Sequence, residues 1–416
     1  MARFSPSICS PSSASGRAKQ GKTHFNSALR LPFGWGCGIH ALVTDPHEMV
    51  LAALAAKGRL RALSRTRGLD FTSNDYLALA QSAGLREAAT QALARGVPLG
   101  AGGSRLLRGN HPEHEALEEE AASFFGSETA LYFSTGFAAN AAIAATLPRS
   151  GDLIVYDSLI HASFRDGLEP ARIQAVAAPH NDVDAMDAII TGWRAGGATG
   201  RVWIAVETLY SMDGDRAPLG ELVALAARHD AMLVLDEAHA TGVHGDQGRG
   251  FGAAYEGAPN IISLHTCGKG LGAAGALICL PRLYRDFMVN RGRAFIYSTA
   301  PSPLMAAVVR AALKLCAGAA QERTQLQMLV RHAEGLTRKL GLAPSGSQIQ
   351  PIIVGEDARA VALAQALQAK GHDIRAIRPP TVPEGTARLR LALTLHVTPD
   401  DLDALFADLA SEMAKA

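Results

Sequence analysis

Short apolar runs separated by helical stretches are the feature that most constrains the fold of this chain. Each run is long enough for one buried strand, and the runs lie at residues 130–133, 153–156, 202–207, 232–235, 261–264 and 276–280. Helical segments lie between them, among others at 137–146 and 220–229. Near-continuous apolar strands that alternate with helices are typical of a mostly parallel sheet covered on both faces. The sequence therefore predicts an α/β fold.

The remaining predicted elements lie on either side of this series. An amphipathic helix is expected at 46–64, with four leucines on its apolar side: Leu51, Leu54, Leu60 and Leu63. A long helix is expected at 304–316, and it is followed by predicted elements at 349–354 (strand), 358–370 (helix), 388–395 (strand) and 400–414 (helix). These last elements predict a smaller α+β unit. The expected division is a helical segment at 45–70, a large domain at 71–300 and a small C-terminal domain at 301–416.

Two of the predicted strands end in residues that suit pyridoxal phosphate chemistry. The run 232–235 is followed by Asp236 and His239, and the run 261–264 is followed by Thr266 and Lys269 in a glycine-rich turn. This cofactor needs a lysine to form an imine with its aldehyde and an acid to keep its ring nitrogen protonated. In open α/β sheets, ligands bind at the carboxyl ends of the strands. A site for this cofactor is therefore predicted at that edge.

Other strand ends carry groups that fit the same cofactor. Gly136 and Phe137 follow the run 130–133 and open a helix, whose N-terminal N–H groups can bind a phosphate. His161 follows the run 153–156 and can stack on a planar ring, while Ser211 follows 202–207 and can donate a hydrogen bond to the ring's phenolic oxygen. Each has an ordinary structural explanation when taken alone, such as a helix N-cap for Asp236. The combination at separate strand ends favours the cofactor site.

Two nucleotide-binding patterns occur in contexts that do not suit them. Residues 16–23 match the P-loop pattern and 236–239 spell Asp-Glu-Ala-His, which together suggest an ATPase. A P-loop must follow a strand and open a helix, whereas 6–15 is a Ser/Pro-rich run. Residues 270–275 match the Gly-x-Gly-x-x-Gly dinucleotide pattern but lead into a strand rather than a helix. Both nucleotide-binding interpretations are disfavoured.

Composition restricts the partners that this protein is expected to have. The 416 residues include 40 Lys and Arg against 39 Asp and Glu, so no basic field favours nucleic acid or an anionic membrane surface. The five cysteines form no Cys-x-x-Cys pair, which favours reduced thiols and a cytosolic protein. No apolar stretch approaches the length of a membrane span.

The first 44 residues contain no acidic residue and are rich in Ser, Pro, Gly and basic residues. Such a composition cannot pack a core and predicts disorder. An organellar transit peptide has a similar composition, and a start codon assigned too early, with translation beginning near Val43 or Met49, is the alternative.

Five motifs resemble the α-oxoamine synthases, a family of fold type I pyridoxal-phosphate enzymes that condense an amino acid with an acyl-CoA and release carbon dioxide. They are Phe-Thr-Ser-Asn-Asp-Tyr-Leu at 71–77, Gly-Ala-Gly-Gly-Ser-Arg at 100–105, Ser-Met-Asp-Gly-Asp at 211–215, Asp-Glu-Ala-His at 236–239 and Thr-x-x-Lys at 266–269. The resemblance extends from about residue 50 to the end, as expected for a relative over the whole domain. It implies that the large domain holds the cofactor and that two chains form a homodimer.

The resemblance also implies a role for individual residues. Lys269 would form the imine with the cofactor and act in catalysis together with His161, which would also contact substrate. Further cofactor contacts would come from Gly136, Phe137, Ser211, Asp236, His239 and Thr266. Arg61 and Thr381 match substrate-binding positions. An arginine must bind the amino-acid carboxylate; Arg390 is the first candidate, Arg378 the second, and Asn74 would assist.

One segment indicates a particular branch of the family. Residues 376–390 resemble the branch that joins L-alanine to a pimeloyl thioester, of CoA or of a carrier protein, in biotin biosynthesis. The sibling branches remain as alternatives: 5-aminolevulinate synthase, 2-amino-3-ketobutyrate CoA ligase and serine palmitoyltransferase. Three departures from the family pattern occur. Glu237 replaces a frequent aspartate, Cys267 replaces an aromatic residue, and Arg-Gly-Asn-His at 108–111 leaves the acyl donor open.

Overall fold

The structure is a computed structural model that describes residues 45–63 and 65–415. The expected extension at 1–44 lies outside the described residues. Residues from Leu51 onward form one compact unit. Within the described residues there are thirteen α-helices: α1 Pro46–Ala56, α2 Ala83–Ala94, α3 Pro112–Phe125, α4 Gly136–Thr146, α5 Ala162–Ala171, α6 Val183–Ala195, α7 Leu219–Arg228, α8 Arg282–Arg291, α9 Arg293–Ile296, α10 Pro303–Gly318, α11 Ala320–Lys339, α12 Asp357–Ala369 and α13 Pro399–Met413.

The strands form one large sheet and two small ones. Their bounds are β1 Leu69–Asp70, β2 Thr129–Phe133, β3 Leu153–Asp157, β4 Gln174–Ala178, β5 Val202–Glu207, β6 Met232–Asp236, β7 Ile261–Thr266, β8 Ala276–Leu280, β9 Ile349–Gly355, β10 His372–Asp373, β11 Ala376–Ile377 and β12 Ala387–Ala392. The large sheet has seven strands in the order β2-β8-β7-β6-β5-β3-β4. Only β8 runs antiparallel to its neighbours, so the predicted mostly parallel α/β fold is confirmed.

Side chains of the large sheet alternate between two apolar cores. Ile154 on β3 belongs to the core that includes α4 and α5, while its neighbours Leu153 and Val155 belong to the core that includes α6 and α7. Successive side chains of a strand point to opposite faces, so an all-apolar strand can fill two cores. This explains why the buried strands are nearly continuous in apolar residues.

Close packing of α4 and α5 requires a glycine. A Cβ on Gly167 in α5 would lie only 2.6 Å from the backbone oxygen of Ala141 in α4. The absence of a side chain lets the two helices approach closely, and this contact fixes the helix whose N-terminus faces the site described below. Substitution by any larger residue would push the two helices apart.

The C-terminal elements form a separate three-stranded antiparallel sheet in the order β11-β12-β9. A parallel pairing of β1 with β10 joins residues near the beginning of the compact unit to this part of the chain. Within residues 45–63 and 65–415, no single helix is both long and apolar enough to cross a membrane. The bent pair α10 and α11 passes that test of length and composition only when the two are taken together.

Two predicted elements have the wrong bounds. The helix expected at 46–64 ends at Ala56, because Gly58 adopts a left-handed φ of 63° and turns the chain. No residue of this helix is buried. The strand expected to reach 395 ends at Ala392, after which the Leu393 N–H donates to the backbone oxygen of Gln348.

Candidate active site

The carboxyl ends of the parallel strands meet around a cavity of about 350 Å³. Strand β5 delivers Glu207 to its wall, β6 delivers Asp236, and β7 delivers Thr266. The turn after β2 and the start of α5 complete the wall, the latter with His161. The strand-end residues are neighbours because adjacent parallel strands end at the same edge. Of the residues expected to bind the cofactor, this arrangement brings all but Ser211 to one cavity.

Lys269 lies half-buried in this cavity, and its Nζ is 2.9 Å from Nε2 of His239. Burial lowers the pKa of the Lys269 amine to about 8, although the carboxylates of Asp236 and Glu207 oppose the shift. A substantial fraction of the amine is therefore neutral near pH 8. The turn that carries Lys269 is closed by Gly272, which has a left-handed φ of 63° and donates its N–H to the Lys269 carbonyl at 2.8 Å.

Asp236 is buried at the end of β6, and two donors fix its carboxylate. Asn140 Nδ2 donates to Oδ2 at 2.7 Å, and the backbone N–H of Ala238 donates to Oδ1 at 3.0 Å. Asn140 lies one turn into α4 and was not among the residues expected from sequence. Its own Oδ1 is buried and has no hydrogen-bond partner among the described residues. The oriented carboxylate suits a buried cationic N–H group of a ligand.

The N-terminus of α4 also lines the cavity. Thr135 caps the helix by accepting a hydrogen bond from the N–H of Ala138 at 3.0 Å. A Cβ on Gly136 would lie 2.6 Å from Cγ2 of Thr266, so only glycine fits here without displacing that side chain. Phe137 is half-exposed on the rim. Free backbone N–H groups at a helix N-terminus bind phosphate.

Pyridoxal 5′-phosphate fits the combination of the α4 N-terminus, the Asp236 carboxylate and the Lys269 amine. A helix N-terminus faces the cavity from one side, a fixed carboxylate lies in its floor, and a lysine with a lowered pKa enters from the β7 turn. The cofactor carries a phosphate, a basic ring nitrogen and an aldehyde, which are the chemical counterparts of those groups. The cavity is also of the right order of size for a small ligand.

His161 caps helix α5 and lines the same cavity. Its Nδ1 accepts a hydrogen bond from the Ser163 N–H at 3.2 Å and lies 2.7 Å from the Ser163 hydroxyl oxygen. Because Nδ1 accepts from the backbone, the ring is held in one orientation with its other nitrogen directed away from the helix. The structure thus places His161 where sequence analysis expected a residue beside the cofactor.

Ser211 and Thr381 line a neighbouring cavity of about 230 Å³ rather than the cavity of Lys269. The backbone N–H of Ser211 donates to Oε2 of Glu207 at 3.1 Å, and this hydrogen bond joins a lining residue of one cavity to a lining residue of the other. Arg61 donates to the Thr381 hydroxyl at 3.2 Å, which brings the two expected substrate-binding residues together. Arg165 and Asp213 are the charged residues in the lining of this cavity.

The two candidate arginines occupy different environments. Arg390 is buried; its Nε donates to the Ser211 carbonyl at 2.6 Å and its Nη2 to Asn74 Oδ1 at 3.0 Å. Arg378 instead donates to the backbone carbonyl of Gly58, and neither arginine is part of the lining of the Lys269 cavity. The charge of Arg390 is nevertheless near enough to act on the pKa of Lys269, and this proximity favours Arg390 for an anionic group near Lys269.

Besides Asn140, sequence analysis missed two further buried polar residues at this site. Glu207 has its pKa raised well above the ordinary range by burial and by the charge of Asp236, and its Oε1 has no hydrogen-bond partner among the described residues. Tyr76 is fully buried with its hydroxyl 2.6 Å from His239 Nδ1. Glu207 could have been suspected, since a carboxylate in an apolar strand is unusual. Tyr76 gave no such signal.

The fold accommodates two of the departures from the family pattern, Glu237 and Cys267. The Glu237 carboxylate accepts hydrogen bonds from the backbone N–H groups of Phe251 and Gly252 and from the Thr208 hydroxyl. Burial nevertheless raises the pKa of Glu237 to about 7. Cys267 is also buried and its thiol pKa is raised by burial, so it is a packing residue rather than a reactive thiol.

Known proteins are similar to this chain over most of its length. A family model described as aminotransferase class I and II matches residues 66–409. Two curated relatives are named 8-amino-7-oxononanoate synthase. The protein from Herminiimonas arsenicoxydans is 41% identical, with 82% of this chain and 89% of the relative covered. The protein from Chromobacterium violaceum is 42% identical, with 81% and 87% covered.

Solved structures of related enzymes have the same fold as this chain. A serine palmitoyltransferase from Sphingomonas wittichii has a TM-score of 0.81 at 28% identity and covers 90% of this chain and 98% of its own. The 8-amino-7-oxononanoate synthase from Francisella tularensis has a TM-score of 0.72 at 26% identity, with 84% and 98% covered. Fold and site thus define a fold type I pyridoxal-phosphate enzyme. The chain belongs to the class I and II aminotransferase family and, within it, to the family of 8-amino-7-oxononanoate synthases.

Proposed function

We propose that this protein catalyses the decarboxylative condensation of L-alanine with a pimeloyl thioester in biotin biosynthesis. The products are 8-amino-7-oxononanoate, carbon dioxide and the free thiol of CoA or of a carrier protein. The names of the relatives at about 40% identity support the overall reaction. The assignments of individual residues rest on the geometry of the two cavities.

The observation that carries this proposal is the environment of Lys269. Its amine lies in the cavity beside the fixed carboxylate of Asp236, and its pKa is lowered to about 8. When bound, pyridoxal 5′-phosphate supplies an aldehyde that an amine can attack and a ring that withdraws electrons from the α-carbon of an amino acid. Asp236 would hold the positive charge of the ring nitrogen, and the N-terminus of α4 would bind the phosphate.

Proton transfer is assigned to Lys269 and His161. A neutral amine at Nζ can remove a proton from the α-carbon of alanine, and the lowered pKa provides that neutral form near physiological pH. His161 lies across the cavity with Nδ1 engaged by the backbone of Ser163. Its other ring nitrogen is available to exchange a proton with the substrate carbonyl.

The two substrates are assigned to the two cavities. Arg390 would bind the carboxylate of alanine, since a guanidinium pairs with a carboxylate through two parallel hydrogen bonds. The acyl chain would extend into the neighbouring cavity, where Thr381 lies with Arg61 bound to it. Pimelate carries a second carboxylate, and Arg165 in the lining of that cavity would supply a guanidinium to pair with it, while Asp213 in the same lining is already paired with Arg388.

A substrate matrix tests the proposal and its nearest rival. Serine palmitoyltransferase is the second candidate, because such an enzyme matches this fold at a TM-score of 0.81. Purified protein with pyridoxal phosphate is assayed with alanine, glycine or serine against pimeloyl-, succinyl-, acetyl- and palmitoyl-CoA, and products are identified by mass spectrometry. We expect turnover with alanine and pimeloyl-CoA to exceed all other pairs. Preference for serine with palmitoyl-CoA would replace this proposal by the rival.

We propose further that the active species is a homodimer that acts in the cytoplasm. Large apolar side chains are exposed around the glycine-rich segment and the cavity rim, and they include Leu99, Leu107, Phe137 and Tyr297. Exposed apolar residues of this size, when grouped on a surface, are typical of subunit interfaces. The three described cysteines are free and buried, which supports a reducing compartment.

A further inference from the structure

The loop after β4 crosses the end of β3 and reaches the loop that carries Ser211. His180 lies in this crossing loop, with Nδ1 2.9 Å from Oδ1 of Asp157 at the end of β3 and Nε2 2.7 Å from Oδ2 of Asp215. Asn181 makes the same connection, because its backbone N–H donates to Asp157 at 2.7 Å and its Nδ2 donates to Asp215 at 2.8 Å. We call Asp157, His180, Asn181 and Asp215 the His180 clip.

Both ring nitrogens of His180 face carboxylates, which indicates a charged imidazolium. An ionised carboxylate only accepts hydrogen bonds, so a ring that contacts one through each nitrogen must carry a proton on both. Asp157 is fully buried and also accepts from the backbone N–H groups of Leu159 at 2.8 Å and Asn181 at 2.7 Å. Burial opposes ionisation of Asp157, but His180 and these two donors lower its pKa. Burial likewise opposes the charge of His180, but its hydrogen bonds to Asp157 and Asp215 raise its pKa to about 10.

Tyr210 and Glu207 are titratable groups that also interact with the clip. The Tyr210 ring meets His180 edge to face, with the ring centroids 4.4 Å apart. Burial and the charge of Asp157 raise the pKa of the Tyr210 hydroxyl, so that group stays neutral. Burial and the charge of Asp236 also raise the pKa of Glu207 well above its ordinary range. Neither group supplies a positive charge, so His180 is the cation that balances the two carboxylates of the clip.

The two carboxylates of the clip belong to two walls of the neighbouring cavity. Asp157 directly precedes residues 158–159, which form part of the first wall. The turn 210–213 forms the second wall, and the backbone oxygen of Asp215 closes this turn by accepting its first N–H at 2.9 Å. The pairing of β3 with β5 ends at Tyr156, so both walls lie beyond the hydrogen bonds that join the two strands. The clip therefore connects the walls where the sheet no longer does.

We propose that His180 is a positioning residue that, as a cation held between Asp157 and Asp215, sets the spacing of the two walls and thereby the fit of the acyl chain. This role rests on the proposed function, which assigns the acyl chain to the neighbouring cavity, whereas the ionic contacts are a property of the chain itself. His180 lines neither cavity, so it acts only through the two carboxylates. Without the cation these carboxylates would repel each other, and the walls should separate.

The first test is the charge of His180 in the full-length protein loaded with pyridoxal phosphate, measured by NMR with ¹⁵N-labelled histidine rings. A histidine with an ordinary pKa is only about one per cent charged at about pH 8.5. We expect both ring nitrogens of His180 to keep their protons there, and a His180→Gln variant assigns the signals. Asp215→Asn removes one carboxylate of the clip, so His180 should then lose a proton at lower pH. A neutral His180 ring at that pH in the wild-type protein, or an unchanged titration in Asp215→Asn, would overturn the proposal.

The second test is a competition between two acyl donors, which separates the acyl cavity from the rest of the enzyme. Pimeloyl-CoA and heptanoyl-CoA have chains of equal length, but only the first has a terminal carboxylate. With both donors present, the ratio of the two products gives the ratio of their kcat/KM values, whatever the amount of folded enzyme. We expect His180→Gln to lower the preference for pimeloyl-CoA by about tenfold or more, because the displaced wall would take Arg165 away from that carboxylate. Mass spectrometry of the products is the measurement.

His229→Gln is the matched control. Nε2 of His229 lies 2.5 Å from Oδ1 of Asp187, so this histidine also pairs with a carboxylate, but it joins α6 to the end of α7 and lines neither cavity. An unchanged donor ratio in His180→Gln, or the same change in His229→Gln, would overturn the proposal. The wild-type NMR measurement needs no variant, so a variant that fails to fold does not remove the test. A charged His180 ring in a protein without turnover on any substrate pair would contradict the proposed function and leave the clip intact.

Discussion

The lowered pKa of Lys269 has a consequence for protein stability that can be measured without substrate. A lysine in an unfolded chain titrates near its ordinary value of about 10.4, whereas burial places the pKa of Lys269 at about 8 in the folded protein. Between these two values the unfolded state binds more protons than the folded state. Stability should therefore rise with pH across this window, and the cost of the buried amine should be largest below about pH 8.

The magnitude follows from the size of the shift. Each pKa unit corresponds to about 1.4 kcal/mol, so the difference sets a ceiling of about 3 kcal/mol for the whole window. Between about pH 7.5 and pH 9.5 the linkage relation gives a gain of about 2 kcal/mol from Lys269 alone. Because the side chain is half-buried rather than fully buried, solvent reduces this figure, and about 1 to 2 kcal/mol is the expected gain.

Guanidinium denaturation of the cofactor-free protein at the two pH values measures this gain. Comparison with Lys269→Met isolates it, because other titrating groups contribute equally to both proteins and cancel in the difference. Lys339→Met, on the exposed side of α11, is the matched control and should show no pH-dependent difference from wild type. The same pH dependence in wild type and Lys269→Met would refute the lowered pKa.

Three further predictions concern the site and the assembly. Asp236→Asn should lower kcat by about 100-fold or more, because a neutral amide cannot hold a positive ring nitrogen; its steady-state rate is the measurement, and near-normal turnover would leave Asp236 only a structural role. Arg390→Lys should raise the KM for alanine by about tenfold or more, since the paired hydrogen bonds to the carboxylate are lost, whereas Arg378→Lys should have little effect; equal effects would contradict the assignment. Sedimentation at assay concentrations should show a dimer. The segment Tyr-Ser-Thr at 297–299 resembles the family segment that reaches the phosphate site of the neighbouring subunit, so mixing inactive Lys269→Ala chains with inactive Ser298→Ala/Thr299→Ala chains should restore some activity; a fully active monomer would contradict the shared site.

The fold could largely be predicted from sequence because its main signal is local. Each central strand is a short apolar run, and the structure extends most of them by one or two residues at most, as with β6 at Met232–Asp236. Alternate residues of such a strand fill the two cores on either face, so burial is recorded directly in the sequence. The N-terminal helix was misjudged because four spaced leucines suggested an apolar face, while Gly58 ends the helix early.

Residues of the site could be predicted from local sequence only where they lie at or just after the carboxyl end of a strand. Asp236, Thr266 and Lys269 were identifiable because parallel strands place their carboxyl ends at one edge. The contact of Tyr76 with His239 was not, since it spans 163 residues of sequence, and the pairing of Arg390 with Asn74 across 316 residues was expected only from the family resemblance. Pairings of that kind depend on how the small C-terminal sheet packs, which no local pattern records.

The central claim is that Lys269 is the residue that holds the cofactor. The most direct measurement is borohydride reduction of the protein loaded with pyridoxal phosphate, followed by digestion and peptide mapping by mass spectrometry. We predict a single pyridoxyl group on the peptide that contains Lys269 and none in Lys269→Ala. A pyridoxyl group on another lysine of the wild-type protein, or no labelling of a protein that turns over, would contradict the account.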